Sequence, residues 1–186
     1  MLEDHYTSYK RHCEELIAGK ALNYSVIRPA PVYGPGSKSL KSLVSLMRRM
    51  TPLWIPFAGD GKNLAPLIYV KDLARAVYLA GVSARALKTT FNLTDGQRHS
   101  WHDFLGAIAK EFGREMRIIP LSPLLLAFPA ICLDFVSWPF GVEADTKNYI
   151  KYFSRDVHFD NKRAVELLGW EPEYTLEEGI AEMLRQ

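Results

Sequence analysis

The sequence predicts an α/β fold that forms the rear part of a larger domain. Three observations carry this. Short β-prone runs alternate with helix-patterned segments along the chain, the mark of an α/β architecture. The chain opens on a helical pattern with no strand before it, whereas a doubly wound sheet opens with a strand whose following turn holds the nucleotide. The two GxG pairs, Gly34-Pro35-Gly36 and Gly59-Asp60-Gly61, lack a third glycine at the right spacing and do not join a strand to a helix in a βαβ unit. The dinucleotide fingerprint is therefore missing, and the Gly-rich βαβ units are expected upstream of this sequence.

The elements follow in order. Glu3 to Lys20 spaces Tyr6, Tyr9, Cys13, Leu16 and Ile17 helically among charges, with Gly19 as a stop. Tyr24 to Ile27 is a short strand, and Pro29 is expected to turn the chain out of the ladder. Pro29 to Gly36 holds three prolines and two glycines, a loop stiffened to keep one shape. Ser39 to Met50 is an amphipathic helix, Leu53 to Phe57 a strand, and Gly59-Asp60-Gly61 a turn. Leu67 to Val70 is a β run, Asp72 to Val82 an alanine-rich helix, and Thr89 to Leu93 a strand ending at Asp95-Gly96. Ser100, with Asp103 three residues on, caps a helix that runs to Phe112 before Gly113. Arg117 to Ile119 is a short strand. Asn161 to Leu168 is a helix stopped by Gly169, and Thr175 with Glu178 forms a capping box for the last one.

Composition narrows the classes. The chain has 186 residues, 48% hydrophobic and 24% charged, which are globular values. Its 23 basic and 21 acidic residues give a net charge of +2. Lys and Arg do not cluster as a phosphate-binding face requires, so nucleic acid is not an expected partner. Cys13 and Cys132 lie far apart with no CxxC, which points to neither a disulfide framework nor zinc. His99 and His102 are three apart, but Ser100 explains that site as a helix start, so no metal is expected. The charged N-terminal segment lacks the apolar core of a signal peptide, and a cytoplasmic setting is the expectation.

Ile118 to Phe140 is almost wholly apolar, but Asp134 and four prolines interrupt it, which argues against a spanning helix. Leu124 to Val136 fits a buried or interfacial helix covering a substrate pocket. The second reading of 118–140 is peripheral membrane contact.

Tyr6 and Lys10 stand four apart on a helix and so share a face. A nearby ammonium favours a phenolate. A phenol tuned in that way can pass a proton to or from an alcohol or ketone near neutral pH. From spacing alone the pattern also fits a solvated helix face.

The segments downstream add weight. Tyr6-Thr7-Ser8-Tyr9-Lys10 with Glu14, then Ile27-Arg28-Pro29-Ala30-Pro31-Val32-Tyr33-Gly34-Pro35-Gly36, resembles the YxxxK and RPxxVYGPG motifs of the extended short-chain dehydrogenase/reductase family, also called the NAD-dependent epimerase/dehydratase family. Gly59-Asp60-Gly61-Lys62-Asn63, Leu67 to Ala74, Phe91-Asn92-Leu93-Thr94, and Lys162-Arg163-Ala164 with Leu167 to Pro172 follow in family order. The resemblance implies the C-terminal part of a Rossmann-type doubly wound sheet plus a small α/β substrate-binding lobe. Residues 1–36 would be the tail of the cofactor domain. Residues 37–186 would be mostly the substrate lobe, with 65–83 returning to the cofactor domain. It also implies NAD or NADP as cofactor, Tyr6 and Lys10 as catalytic and cofactor-binding residues, and Pro29 and Val32 beside the nicotinamide. The family's catalytic Ser/Thr and Gly-rich loop lie upstream, so the chain alone is expected to be inactive. A small-molecule substrate is implied, and a homodimer is left open. A non-catalytic binding module derived from this fold is the reading from another class.

Nucleotide-sugar epimerases and dehydratases of the family commonly carry Arg-Asp just before the strand at Ile68. That arginine grips a diphosphate, because its fork matches phosphate geometry. Ala65 and Pro66 stand there in this sequence. The Gly59 to Leu64 run and the apolar stretch from Ile118 to Phe140 instead resemble the 3β-hydroxysteroid dehydrogenase-like branch. Apolar pockets suit a ring-bearing or lipid-like substrate. That reading is favoured over the nucleotide-sugar one.

Overall fold

Residues 5–122 and 155–185 are described by the computed structural model, apart from the side chains of His5, Tyr6, Lys38 and Ser39. The expected helix Leu124 to Val136 lies outside the described residues. The chain forms two compact units, each assembled from three segments. One comprises Met1–Val32, Leu67–Gly96 and Phe159–Tyr174; the other comprises Tyr33–Pro66, Gln97–His158 and Thr175–Gln186.

The first unit carries α1 (His5–Ala18), β1 (Ser25–Pro29), β4 (Ile68–Tyr69), α3 (Val70–Val82), a 3-10 turn (Ala84–Ala86), β5 (Thr89–Leu93) and α5 (Lys162–Leu168). β1 and β5 pair in parallel, from Ser25 against Thr89 to Pro29 against Leu93. A parallel pair needs a long crossover rather than a hairpin, and residues 30–88 lie between these two strands. Phe91 and Leu93 point into a core with Ile68, Ala76, Ala80, Ala164 and Trp170. Ala76 and Ala80 lie one turn apart, so α3 turns small side chains inward where bulk would hold it off.

Pro29 does not leave the ladder as expected. Proline lacks only the donor, and here it occupies the last strand position; the next residue, Ala30, donates its N–H to the Leu93 carbonyl at 2.9 Å and keeps the pairing going. The β run at Leu67 to Val70 shortens to Ile68–Tyr69, because Val70 and Lys71 form the first turn of α3. Val70 has high strand propensity, and tertiary context overrides it. The segment 159–174 packs in the first unit, with Ala164 and Trp170 buried in its core.

The second unit carries α2 (Lys38–Arg49), β3 (Trp54–Ala58), α4 (Trp101–Glu111), β6 (Arg117–Leu121) and α6 (Leu176–Leu184). The short β2 (Val32–Tyr33) spans the boundary between the units in sequence. β3 and β6 pair in parallel, Trp54 against Arg117 through Ala58 against Leu121. Arg114 satisfies the carbonyl end of α2. It donates to the carbonyls of Met47 at 3.1 Å and Arg48 at 3.3 Å, and to that of Met50. α4 and α6 both begin with a complete capping box, Ser100 with Asp103 and Thr175 with Glu178, as the spacing predicts. The turn at Gly59-Asp60-Gly61 is built on positive φ at both glycines, +85° and +74°. It lies along the start of α4: the carbonyls of Gly61 and Asn63 accept the N–H groups of His102 at 2.8 Å and Trp101 at 3.2 Å.

Candidate active site

α1 presents a mixed surface. Its charged side chains space Tyr9, Leu16 and Ile17, which are themselves exposed. Tyr6 sits in its first turn and Lys10 one turn on. Lys10 is exposed, whereas the side chain of Tyr6 lies outside the described residues. The next residue at four-residue spacing is Glu14.

Glu14 meets Arg28 at the end of β1. Arg28 Nε donates to Glu14 Oε1 at 2.9 Å, and Nη2 donates to Oε2, a fork-on-carboxylate pair. The hydrogen bond from Arg28 holds the Glu14 carboxyl below the usual glutamate range, and burial opposes this more weakly. The same pairing raises the Arg28 guanidinium further. The helix that carries Lys10 is thus tied to the strand whose last residue is Pro29.

Pro29 is exposed at the carboxyl end of β1, and Val32, at the start of β2, is 38% exposed. In open α/β sheets the carboxyl ends of parallel strands are where ligands bind. Sequence reasoning missed the Glu14–Arg28 pair. Both residues lay within the quoted motifs, and a carboxylate one turn beyond Lys10 was the available signal.

In the second unit Ala65 is 2% exposed and donates its N–H to the His99 carbonyl at 2.8 Å. Pro66 is also buried. Lys62 Nζ lies 3.7 Å from Asp60 Oδ2, and Arg155 is exposed. Among the described residues no three His, Cys, Asp or Glu side chains gather as metal ligands. Among the same residues no helix is long and apolar enough to cross a membrane.

The described chain has known relatives. It is 28% identical to 3beta-hydroxysteroid-dehydrogenase/decarboxylase isoform 2 of Arabidopsis thaliana, over 95% of this chain and 34% of that protein. It is 29% identical to UDP-glucose 4-epimerase of Vibrio cholerae, over 96% of this chain and 52% of that one. The fold matches RMD from Pseudomonas aeruginosa complexed with NADPH, with TM-score 0.70 and 16% identity, over 98% of this chain and 56% of that one. The chain therefore spans between a third and about half the length of these relatives. The fold is that of the Rossmann-type sheet proteins of this group, with parallel strands in each unit. Residues 6–93, just under half of the chain, match the model of the NAD dependent epimerase/dehydratase family.

Proposed function

We propose that this chain is the C-terminal part of an NAD(P)-dependent oxidoreductase that acts on a hydroxyl or keto group of an apolar, ring-bearing or lipid-like substrate. The observation that carries the redox reading is the Tyr6–Lys10 spacing on α1, joined through Glu14 and Arg28 to the strand end at Pro29. Donor chemistry fits a dinucleotide. The exposed Lys10 ammonium offers donors only, which suits ribose hydroxyls. Pro29 offers an exposed apolar ring and no N–H, which suits an aromatic face. Bound NAD(P) would supply the two-electron step.

The chain's own residues would hold and move the proton. Tyr6 would pass it between its phenol oxygen and the substrate oxygen, and Lys10 would lower the phenol pKa while gripping the ribose. Pro29 and Val32 would wall the nicotinamide side.

The apolar-substrate reading rests on Ala65 and Pro66. A diphosphate needs cationic partners once it leaves water, and this position holds two buried side chains with no charge. The 28% identity to a steroid dehydrogenase/decarboxylase agrees with that choice. The 29% identity to a UDP-glucose 4-epimerase keeps nucleotide-sugar epimerase or dehydratase as the second reading. A turnover panel on the complete protein that carries this chain separates the two. Sterol-like and phenolic alcohols are expected to turn over with NAD(P), and UDP- and dTDP-sugars are not. Saturable turnover with a nucleotide sugar alone would reverse the assignment.

A further inference from the structure

We infer that the Glu14–Arg28 fork is a positioning device for the Tyr6–Lys10 helix, a role that rests on the proposed redox site. Three observations support it. Tyr6, Lys10 and Glu14 recur at four-residue intervals on α1, so they lie along one stripe that drifts slowly around the helix. Glu14 is engaged at both oxygens by one planar guanidinium, which fixes orientation as well as distance. Arg28 stands one residue before Pro29, on a strand whose register against β5 is set by parallel pairing from Ser25 to Pro29.

The fork therefore clamps the roll and axial position of α1 to a strand that is itself fixed. A lysine at position 28 keeps the charge and loses the fork. The geometric part of the pair can thus be removed while its Coulombic part stays.

Two readouts test this. The first needs no ligand: hydrogen exchange across α1 in the chain as it stands. Arg28→Lys and Glu14→Gln are each expected to speed exchange in α1 about tenfold, the size of losing a charge-assisted bond. The double exchange Glu14→Arg with Arg28→Glu is expected to restore protection. The second is NADH and NADPH affinity of the complete protein by cofactor fluorescence. Arg28→Lys is expected to weaken the preferred cofactor about tenfold, since small misplacements of a positioned group are costly, and the swapped pair is expected to recover most of it.

Lys10→Met tells the two claims apart. Unchanged exchange in the fork variants overturns the clamp whatever Lys10→Met does. Faster exchange with unchanged cofactor affinity in Arg28→Lys, while Lys10→Met binds weakly, overturns the positioning role and leaves a structural bridge. Cofactor affinity that is unchanged in Lys10→Met removes the site reading, and the positioning role falls with it even where the clamp itself persists.

Discussion

Trp170 donates its indole Nε1–H to the main-chain carbonyl of Asp72 at 3.0 Å, across 98 residues of sequence. Both residues are buried, Trp170 fully and Asp72 to 1% exposure. The Asp72 carboxylate in turn accepts the N–H groups of Glu173 at 2.9 Å and Tyr174 at 3.3 Å. Arg75 Nη2 lies 3.9 Å from Asp72 Oδ1, and its Nη1 lies 2.8 Å from Glu173 Oε1. One residue in the first turn of α3 thus holds the segment that follows α5, through its backbone and its side chain together. The charge is compensated by two amides and a guanidinium, as a buried carboxylate requires.

Asp72→Asn is expected to destabilise the first unit by about 2–4 kcal/mol, because it removes charge-assisted bonds made by a buried carboxylate and leaves partly buried N–H groups poorly matched. Urea unfolding followed by tryptophan fluorescence checks this. A midpoint within error of the wild type would show that the carboxylate is dispensable.

A second long-range lock joins Asn161 to Thr94. Asn161 Oδ1 accepts the Thr94 N–H at 2.9 Å, and Asn161 Nδ2 donates to the Thr94 carbonyl at 2.9 Å. The side-chain amide mimics a neighbouring strand at the end of β5. Asn161→Asp keeps the acceptor but sets a carboxylate oxygen against the Thr94 carbonyl, so it is expected to cost at least as much as Asn161→Ala, which loses both bonds and about 1–3 kcal/mol. Thermal midpoints of the two variants give the ranking directly.

These locks show where the sequence was legible. Ser100 with Asp103 and Thr175 with Glu178 act within one helical turn, and spacing alone revealed them. Thr89 to Leu93 was clear from β-branched and aromatic residues ahead of an Asp-Gly turn. Asp72 with Trp170, and Thr94 with Asn161, join segments far apart in sequence, and nothing local announces such partners. Pro29 was misread because a proline at the last position of a strand removes a donor without ending the ladder. At the candidate site, the four-residue spacing of Tyr6 and Lys10 was visible from the sequence. The closure from Glu14 to Arg28 needed the chain to turn back through Gly19 to Tyr24 into β1, which only the fold supplies.

Acid is expected to weaken both capped helices. The Ser100 hydroxyl, and then its N–H, hold Asp103 below the ordinary aspartate range. The Thr175 N–H, and then its hydroxyl, do the same for Glu178. A carboxyl depressed in the folded state contributes stability above its unfolded pKa, and that contribution disappears as pH falls through the folded value. The melting-temperature gap between wild type and Asp103→Asn should therefore be constant above about pH 5 and close below about pH 4. A gap that persists undiminished at pH 2.5 would place the effect of Asp103 outside its charge.

Gly61 tests the turn before α4. Its φ of +74° is strained for any other residue, and an added Cβ would stand 2.5 Å from Ile118 Cδ1. Gly61→Ala is expected to lower stability by about 1–3 kcal/mol, from backbone strain and displacement of the β6 side chain. Gly36, also at positive φ but with open space around its added Cβ, provides the comparison. Gly36→Ala is expected to be milder, and equal losses would mean that crowding against Ile118 adds nothing.

The chemistry is tested at Tyr6. Replacing it with phenylalanine keeps the ring and removes the transferable proton, so folding of the complete protein should survive while turnover falls. The expected loss is roughly 10²–10⁴-fold, the size of a positioned acid–base contribution. On the proposed reading Lys10→Met acts differently, because it would remove both the charge that favours the phenolate and a donor to the cofactor. It should raise the cofactor KM as well as lower kcat, whereas Tyr6→Phe should leave the cofactor KM nearly unchanged. The pH profile adds a sign. If Tyr6 is the acid–base group, the active form in the oxidation direction would be the phenolate, and activity is expected to rise with pH through the phenol's titration. Losing the Lys10 ammonium should shift that rise to higher pH. Full turnover in Tyr6→Phe would make Tyr6 a surface tyrosine, and a Lys10→Met rise at the wild-type pH would separate Lys10 from the tuning of the phenol.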